Sequence, residues 1–480
     1  MKKAFLFALG FACISNVVNA QAIQKMQLQL DPSNTNSSVP FVGCGSPEVM
    51  QLIEKDSPGF IEQSNDFLMS VANEQASNTH RNSSELYRIP VVFHVVYNNF
   101  NEQLPDTLIE NQIALLNEIY RRQNADTVNM RPAFADLVGD AQIEFYLATE
   151  DPDGNPTTGI EYTASNVANF GGTLPYGPGQ NQQISDWVND SLYYNFFRLT
   201  KDSLGGSDAW DINKYMNVWV GDLSILEPQF NNVEEIVFFG LSTPPANHPN
   251  FPDTSLNQIY ALGHGTLMHY QAIGPNNPVP FQAPYTAYNG IVNTGKMLAH
   301  EAGHYLGLRH IWGDGNCSMD DYVDDTPNAS ASSQYNCNLS INSCIDTING
   351  ANLPNMVENY MDYSSSDCQN SFTKGQVAVM RATLENFRSD LYVTSVSEVE
   401  GFEGLVSVYP NPVLENLQVV TKDISGKADV LVYNLNGSVV HQSTMTGNDR
   451  KTISMKVPSG IYFVKVITQN GSSVSKVVKQ

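Results

Sequence analysis

The stretch that most constrains this chain is HEAGHYLGLRH at residues 300–310, which holds three histidines and one glutamate. His300 and His304 are four residues apart, so on a helix their imidazole rings project from one face and can share a metal ion. Gly307 follows where that helix must end, because glycine readily adopts the positive φ of a helix exit. The turn then brings His310 round as a third ligand. The pattern predicts a helix with two ligands that stops so that a third can reach the same ion.

The number and kind of these ligands indicate a catalytic metal site. Three histidine nitrogens leave one tetrahedral position of a zinc ion open, whereas a structural zinc site is closed by four protein ligands. Glu301 lies beside the first ligand but off the ligand face, so it can reach a water without binding the metal. Such a run would arise by chance in roughly one in 10⁴ chains of average composition. We therefore expect zinc to activate a water for peptide-bond hydrolysis, with Glu301 as general base and then acid.

Charge and the first residues indicate an exported protein that does not bind nucleic acid. The formal net charge is -24, from 25 Lys and Arg against 49 Asp and Glu, whereas a nucleic-acid partner requires a basic surface. Residues 1–20 combine two lysines, a short apolar run and a small-residue exit, which is typical of a secretory signal peptide. No later stretch reaches about 18 uninterrupted apolar residues, so no transmembrane segment is expected.

The apolar pattern divides the rest of the chain into a polar segment, an α/β domain and a small β domain. Residues 21–88 are polar and are expected to be a pro-segment or linker with one helix in SPEVMQLIEK. Residues 89–392 alternate strand and helix patterns, and residues 393–404 form a linker. Residues 405–480 hold short alternating runs between turn signals, which is typical of a small all-β, immunoglobulin-like sandwich.

Several elements of the 89–392 domain are predicted from periodicity. A further helix is expected from Gln376 to Leu391, and GTLMHYQA is interpreted as the edge strand of the sheet. The remaining strands and one helix are predicted, in chain order, in IPVVFHVVYN (strand), DTLIENQIALLNEIYRRQN (helix), AQIEFYLATEDPDG (strand) and YMNVWVGDL (strand).

The zinc motif with its glycine and third histidine resembles that of the metzincin metallopeptidases, which also carry a methionine turn beneath the metal. Met361 in NYMDYS is placed as that methionine would be, although alone it could be a core methionine. Tyr363 matches a tyrosine that in several metzincins lies near the metal and stabilises the oxyanion. Stretches over roughly residues 89–391 are similar to the pappalysin (cytophagalysin) branch, among them IPVVFHVVYN, FYLATEDPDGNPTTGI and DDYVDDTPN. The resemblance implies an α/β (α+β) metzincin-type catalytic domain with a mixed, twisted sheet and an active-site helix.

Four cysteines between residues 317 and 368 predict two disulfides in an exported protein, and the residues alone leave three pairings open. The pappalysin resemblance implies Cys317–Cys344 and Cys337–Cys368. It also implies structural calcium in the acidic loop between the zinc motif and the methionine turn, since carboxylate and hydroxyl oxygens suit that ion. The alternative is a solvated acidic loop. The expected calcium ligands are Asp321, Asp325 and Thr326.

One departure from the family concerns specificity. Relatives that cleave before arginine or lysine carry acidic residues at positions matching Ser365 and Ser366, whereas here an aspartate appears only at Asp367. A displacement by one residue can turn a carboxylate away from a pocket. The resemblance therefore does not imply a basic preference for this chain.

Cys44, in FVGCGSPEV, precedes the catalytic domain and has no partner among the clustered cysteines. A thiolate is a good zinc ligand and could fill the open position, and pappalysin-like zymogens carry a similar Cys-Gly stretch. We hypothesise a cysteine switch, released by cleavage between Cys44 and Ile89, with Arg81 and Arg88 as candidate cleavage sites. The alternative is an unpaired cysteine without a role.

The last domain resembles the C-terminal sorting domain of type IX secretion cargo, through VYPNPVLENLQV, ADVLVYNLNGSVV and PSGIYFVKV. The alternative for residues 405–480 is a generic immunoglobulin-like adhesive module. The sequence as a whole predicts a secreted, monomeric zinc endopeptidase of extracellular proteins, made as a zymogen and exported by the type IX machinery. The rival hypothesis is a surface adhesin whose metzincin-like domain only binds. Glu301 favours the enzyme, because a binding site needs no base.

Overall fold

The computed structural model describes residues 42–76, 85–173, 193–229, 232–245, 264–283, 285–348, 350–396, 406–422, 426–434, 439–446, 449–468 and 471–480. The predicted signal peptide and Arg81 lie outside these residues. The described residues fall into two compact units, the first within Met1–Arg81 and Tyr87–Val393 and the second within Asn82–Leu86 and Thr394–Gln480. Throughout the described part of the chain, every helix falls short of the length and apolarity that a membrane crossing requires.

The first unit combines helices with a mixed sheet and several short strands. Its helices are α1 (Ser46–Asp56), α2 (Phe60–Ala76), α3 (Asp106–Tyr120), α4 (Tyr193–Phe197), α5 (Asn289–Val292), α6 (Met297–Tyr305) and α7 (Lys374–Phe387). Its strands are β1 (Val42–Cys44), β2 (Glu85–Tyr97), β3 (Val138–Gly139), β4 (Ile143–Leu147), β5 (Ile160–Ala164), β6 (Gly172–Thr173), β7 (Met216–Gly221), β8 (Ser224–Gln229), β9 (Asn232–Ser242), β10 (Thr266–His269) and β11 (Phe372–Thr373), and β12 (Val393–Val396) follows at the boundary.

The sheet of the first unit mixes parallel and antiparallel pairs. Strand β2 is parallel to β4, β5 and β7, and β7 is parallel to β10. Strand β9 is antiparallel to both β8 and β10, and β1 joins β9 in parallel. This arrangement, with its helices, confirms the predicted α/β (α+β) class with a mixed sheet.

The prediction of an edge strand in GTLMHYQA is wrong. Strand β10 lies between β7 and β9, with Thr266 opposite both Val218 and Ser242. All four of its residues are buried. The sheet continues beyond β10 because β9 and β8, which the periodicity did not identify, extend it on that side.

Two predicted helices hold the core against this sheet. Helix α3 buries the apolar face that its spacing predicts, including Ile109, Ile113 and Leu116. At its end, the Tyr120 hydroxyl donates a 3.0 Å hydrogen bond to the carbonyl of Ala299 in α6. Every residue of α6 is buried. Helix α3 therefore fixes the position of the helix that carries the histidine motif.

The segment before β2 is folded onto the first unit over residues 42–76, rather than forming a free linker there. Helix α1 corresponds to the predicted SPEVMQLIEK helix, and its Val49 and Ile53 join a hydrophobic cluster with Trp219 and Leu241. Helix α2 was not predicted, although its buried Phe60, Leu68 and Val71 lie at helical spacing, because the polar residues between them were interpreted as linker.

The second unit is built from two antiparallel sheets. Strands β13 (Val406–Tyr409), β14 (Asn416–Thr421) and β17 (Arg450–Ser454) form one sheet, and β15 (Lys427–Asn434), β16 (Val439–Thr446), β18 (Gly460–Thr468) and β19 (Gly471–Lys479) form the other. Alternate residues such as Val430, Val432, Val464 and Val466 are buried in its core. These sheets bear out the predicted immunoglobulin-like all-β domain.

Candidate metal centre

Helix α6 ends where the sequence predicts. Its last residue is Tyr305, and Gly307 has φ of +91°, in the left-handed region that glycine adopts without steric cost. A Cβ at this position would also lie 2.5 Å from Thr383 Oγ1, closer than van der Waals contact allows. Gly307 is therefore required both by backbone conformation and by space, and the turn that follows delivers His310 to the helix face.

The three histidines meet through their Nε2 atoms. The Nε2 atoms of His300, His304 and His310 lie 3.1–3.2 Å apart. On the other side of each ring, Nδ1 contacts an oxygen, at 2.7 Å from Tyr360 O, 2.8 Å from Leu308 O and 2.5 Å from Asp314 Oδ1. A carbonyl oxygen can only accept, so Nδ1 of the first two rings carries the hydrogen. Their Nε2 lone pairs therefore point at one another.

This arrangement fits a zinc ion. Tetrahedral zinc with Zn–N bonds of about 2.0–2.1 Å separates its nitrogen ligands by roughly 3.3–3.4 Å, close to the spacing found here. Burial, with the neighbouring His310, lowers the pKa of His300 to about 3 and lowers that of His304 well below its usual value. Burial therefore favours the neutral, metal-binding form of both rings. The Nδ1 partners orient each ring as outer-shell groups do in zinc sites.

Cys44 completes this group. Its Sγ and one ligand nitrogen from each of the three histidines all lie within 4.8 Å of one another, and all four residues are buried. Strand β1 places it there by pairing Cys44 with Gly240 of β9. The Tyr363 hydroxyl accepts from Cys44 N at 3.1 Å and donates to Cys44 O at 3.2 Å. Burial, and then the charge of Glu301, raises the pKa of the thiol, so a cation at the histidines is what would favour the thiolate.

Glu301 is fully buried and is held by two serines that the sequence did not single out. The Ser46 hydroxyl donates to Glu301 Oε2 at 3.0 Å and accepts from Ser242 N at 2.8 Å. Burial raises the pKa of Glu301 to about 8, against the opposing effect of these hydrogen bonds. A Cβ at Gly240 would lie 2.7 Å from Glu301 Cγ, so only glycine lets β9 pass this close. Nothing local in the sequence links these residues to Glu301.

Met361 and Tyr363 lie beneath and beside the histidines. Met361 is fully buried, and its Sδ would be 2.5 Å from a Cβ at Gly303, in the middle of α6. The Tyr363 ring centroid is 4.8 Å from that of His310 and 5.6 Å from that of His300. The structure thus brings both residues to the site with the three histidines and Glu301.

Comparison with known proteins agrees with this geometry. Residues 274–385 match the peptidase family described as pregnancy-associated plasma protein-A. A promirolysin mutant of Tannerella forsythia is 30% identical, with a TM-score of 0.52, and the match covers 73% of this chain and 97% of that chain. The chain belongs to the pappalysin family of metallopeptidases.

Other matches cover only part of their relatives. An extracellular metalloprotease of Pyricularia oryzae is 40% identical over 99 residues, which are 20% of this pappalysin and 32% of that protein. One from Arthroderma otae is 39% identical over 102 residues, 20% of this chain and 34% of that protein. The chain thus spans about a third of the length of these curated relatives. Residues 407–480 match a secretion system C-terminal sorting domain.

Two disulfides cross the loop between the histidine motif and Met361 of this pappalysin. Cys317 is bonded to Cys344 and Cys337 to Cys368, the pairs that the resemblance implies. Cys44 is the cysteine left free in the described part of the chain. Each disulfide joins one end of the loop to its middle.

The structure brings two of the three expected calcium ligands together, with Thr326 Oγ1 2.8 Å from Asp321 Oδ1. Asp321 accepts hydrogen bonds from Thr326 Oγ1 and Val323 N, and Asp325 accepts one from Gly375 N at 2.8 Å. Within the described ranges, neither aspartate belongs to a group of three or more metal-ligating His, Cys, Asp or Glu side chains. Calcium in this loop therefore stays a prediction.

Of the two arginines predicted as cleavage candidates, Arg88 lies in a paired strand. Arg88 lies inside β2, where it pairs with Glu144 of β4 in register and through an ion pair of 3.6 Å. A peptide bond in a paired strand cannot enter a protease cleft without local unfolding, which argues against cleavage at Arg88. Arg81 lies outside the described residues.

Proposed function

We propose that the chain is a zinc-dependent endopeptidase of extracellular proteins that is made as a latent zymogen. The observation that carries this proposal is the convergence of three bare imidazole nitrogens beside a buried glutamate. Membership of the pappalysin family supports it. The names of its relatives, extracellular metalloproteases and promirolysin, support both the activity and a precursor form.

The residues of the site divide the reaction between them. Zinc held by His300, His304 and His310 would supply a Lewis acid that polarises the scissile carbonyl and acidifies a water. Glu301 accepts a proton from that water as its oxygen bonds to the carbonyl carbon. The same carboxyl then gives the proton to the nitrogen as the C–N bond breaks. The Tyr363 hydroxyl, once free of Cys44, donates a hydrogen bond to the oxygen on which negative charge develops.

The segment from Cys44 to Ser46 blocks each of these groups separately. The Cys44 sulfur lies within 4.8 Å of a ligand nitrogen of each histidine, so it could supply the fourth zinc ligand. The backbone of Cys44 is hydrogen-bonded to the Tyr363 hydroxyl, and the Ser46 hydroxyl is hydrogen-bonded to the Glu301 carboxylate. Removal of this one short segment would therefore free the metal, the oxyanion donor and the base together, which supports the cysteine-switch hypothesis.

Casein or gelatin cleavage by the mature form tests the activity. We expect cleavage that a zinc chelator abolishes and that Glu301→Ala lowers by a factor of about 10³ or more, as loss of a general base does. Cleavage that survives either treatment would contradict the mechanism. Zinc binding without cleavage would favour the adhesin alternative.

The latency is tested on the intact precursor. We expect Cys44→Ala to raise its activity on a small peptide substrate, because water can then reach the fourth metal position. Mass spectrometry must show that the chain is still whole. An intact Cys44→Ala precursor no more active than the wild type would refute the switch.

The same proposal covers export and domain limits. The sorting-domain match supports export of the chain by the type IX machinery, with residues 405–480 as the sorting signal. Residues 1–20 are proposed to act before that step, as the secretory signal peptide. We place the pro-segment at 21–88 and the catalytic domain at 89–392. Deletion of 405–480 should abolish export without loss of cleavage in a lysate, whereas unchanged export would favour an adhesive module. We further propose that the enzyme is a monomer.

A further inference from the structure

A cavity of about 150 Å³ lies between the helices of the pro-segment and the catalytic domain. One wall is formed by residues of α1 and α2, among them Met50 and Phe67, and the other by residues such as Leu308 and Phe387. Activation is proposed to remove α1 and α2. The cavity therefore has both walls only in the precursor, which separates it from the substrate cleft of the active enzyme.

The sequence of α2 explains why this space is left open. Phe60 is buried, and Phe67 meets Phe387 edge to face with ring centroids 4.7 Å apart. Ser64 lies between Phe60 and Phe67 at helical spacing and on the same face. Its short side chain accepts a 3.2 Å hydrogen bond from Arg309 Nη2. A small residue thus stands where the apolar stripe of the helix would carry a large one.

The size and lining of the cavity suit a single aromatic ring. An engineered cavity of about 150 Å³ with Leu, Ile and Phe walls stays dry and binds benzene. The lining here is also mostly apolar, and it includes Met50, Met319 and Arg309. Thioether sulfurs and a guanidinium both interact favourably with aromatic rings, which favours such a ring over a saturated one.

The charged groups at the cavity do not favour a charged ligand. Arg309 and Asp314 both contribute to the lining. An anion would be attracted by Arg309 and repelled by Asp314, and for a cation the two effects are reversed. Taking an ion out of water into a mostly apolar cavity is unfavourable without a clear partner. The ligand class indicated is therefore uncharged.

We propose that this cavity binds a small, uncharged aromatic molecule and that the bound molecule holds the pro-segment closed. The binding site goes beyond the proposed peptidase function, whereas the effect on latency rests on the proposed zymogen.

The position of the cavity links binding to latency. Ser46 and Ser242, which hold the pro-segment at Glu301, also line the cavity. A ligand there packs directly against the contacts that cover the base. Because it binds the closed precursor alone, it lowers the open population about tenfold at a concentration ten times its dissociation constant.

Thermal unfolding tests the binding site, with toluene as the probe. We expect toluene to raise the unfolding midpoint of the intact precursor and to leave that of the mature form unchanged. No shift in the precursor, or the same shift in both forms, would overturn the site. Methylcyclohexane has the same size without an aromatic ring and should bind more weakly. Equal binding of the two would overturn the aromatic class.

The rate at which added subtilisin removes the pro-segment tests the effect on latency, since such proteolysis follows the open population when opening is fast. We expect toluene at ten times its dissociation constant to slow this removal about tenfold and to leave casein cleavage by subtilisin unchanged. An unchanged rate in a precursor that binds toluene would refute the latency effect. A mature form without peptidase activity would instead refute the proposed function, and the binding result would stand.

A cavity-filling variant places the ligand. Ser64→Leu puts apolar atoms into the cavity, so we expect it to weaken toluene binding at least tenfold. Ser70→Leu is the matched control, because Ser70 is exposed on the same helix and outside the lining, and it should bind toluene as the wild type does. Full binding by Ser64→Leu, or equal loss in both variants, would overturn the placement. If Ser64→Leu fails to fold, Ile61→Phe, at another lining position, replaces it.

Discussion

Replacement of Ser46 by alanine should weaken latency while leaving every catalytic group in place. The Ser46 hydroxyl joins the pro-segment to the site twice, through the 3.0 Å bond to Glu301 Oε2 and the 2.8 Å bond from Ser242 N. Both bonds exist only while the pro-segment is bound. Ser46→Ala therefore removes stabilisation from the latent state and nothing from the open one.

The size of the effect follows from these two bonds. A hydrogen bond contributes about 0.5–1.5 kcal/mol net, and a buried donor left without an acceptor, here Ser242 N–H, costs about 1–3 kcal/mol. Together they amount to about 1.5–4.5 kcal/mol. Since about 1.4 kcal/mol is a factor of ten, the open population of the precursor should rise by about 10- to 1,500-fold.

The assay is the initial rate of intact precursor on a fluorogenic peptide, since activity in trans reports the open population as long as that population is small. Ser70→Ala is the matched control, because Ser70 is exposed and its hydroxyl bonds only to Phe67 O within α2. We expect no change for the control and the predicted rise for Ser46→Ala. A Ser46→Ala precursor within twofold of the wild type would refute the role of this contact in latency.

Three further outcomes are expected. Asp314→Asn should lower zinc affinity by about 10- to 100-fold, because Asp314 Oδ1 accepts a hydrogen bond from His310 Nδ1. Titration of the mature form against a competing chelator measures this affinity, and an unchanged value would contradict the prediction. Gly303→Ala should lower stability by about 1–3 kcal/mol through its overlap with Met361 Sδ, measured by chemical unfolding, where an unchanged midpoint would count against the packing. Zinc removal should speed proteolysis of the pro-segment in the wild-type precursor but not in Cys44→Ala, because only the wild type has a bond between zinc and the Cys44 sulfur to lose. An equal increase in the rate of proteolysis in both precursors would argue against that bond.

The parts of the site that the sequence predicts are those whose geometry is local. The spacing of His300 and His304 and the stop at Gly307 depend on one helix and one turn, so periodicity and glycine conformation are enough to place them. Met361 and Tyr363 were predicted from a family pattern rather than from local physics. Cys44 was proposed from thiol chemistry, and the structure places it with the histidines.

What the sequence could not predict depends on contacts between distant segments. Ser46 and Glu301 are 255 residues apart, and no periodicity connects them. Gly240 permits the close approach of β9 to Glu301, but a glycine within a strand pattern does not reveal which side chain it approaches. The error at β10 has the same origin, because an edge strand is defined by its neighbours rather than by its own residues.

Latency and catalysis depend on the same residues of the catalytic domain. Few positions can therefore be substituted so that latency changes while turnover does not. Gly240 pairs with Cys44 of β1, and it must lack a side chain for Glu301 to lie beneath β9. The Tyr363 hydroxyl serves Cys44 in the precursor and is proposed to serve the oxyanion in the active enzyme. Substitution of either residue would therefore disturb both states. Ser46 contacts the site in the latent state alone, so changes that affect latency without affecting turnover are expected within residues 42–76.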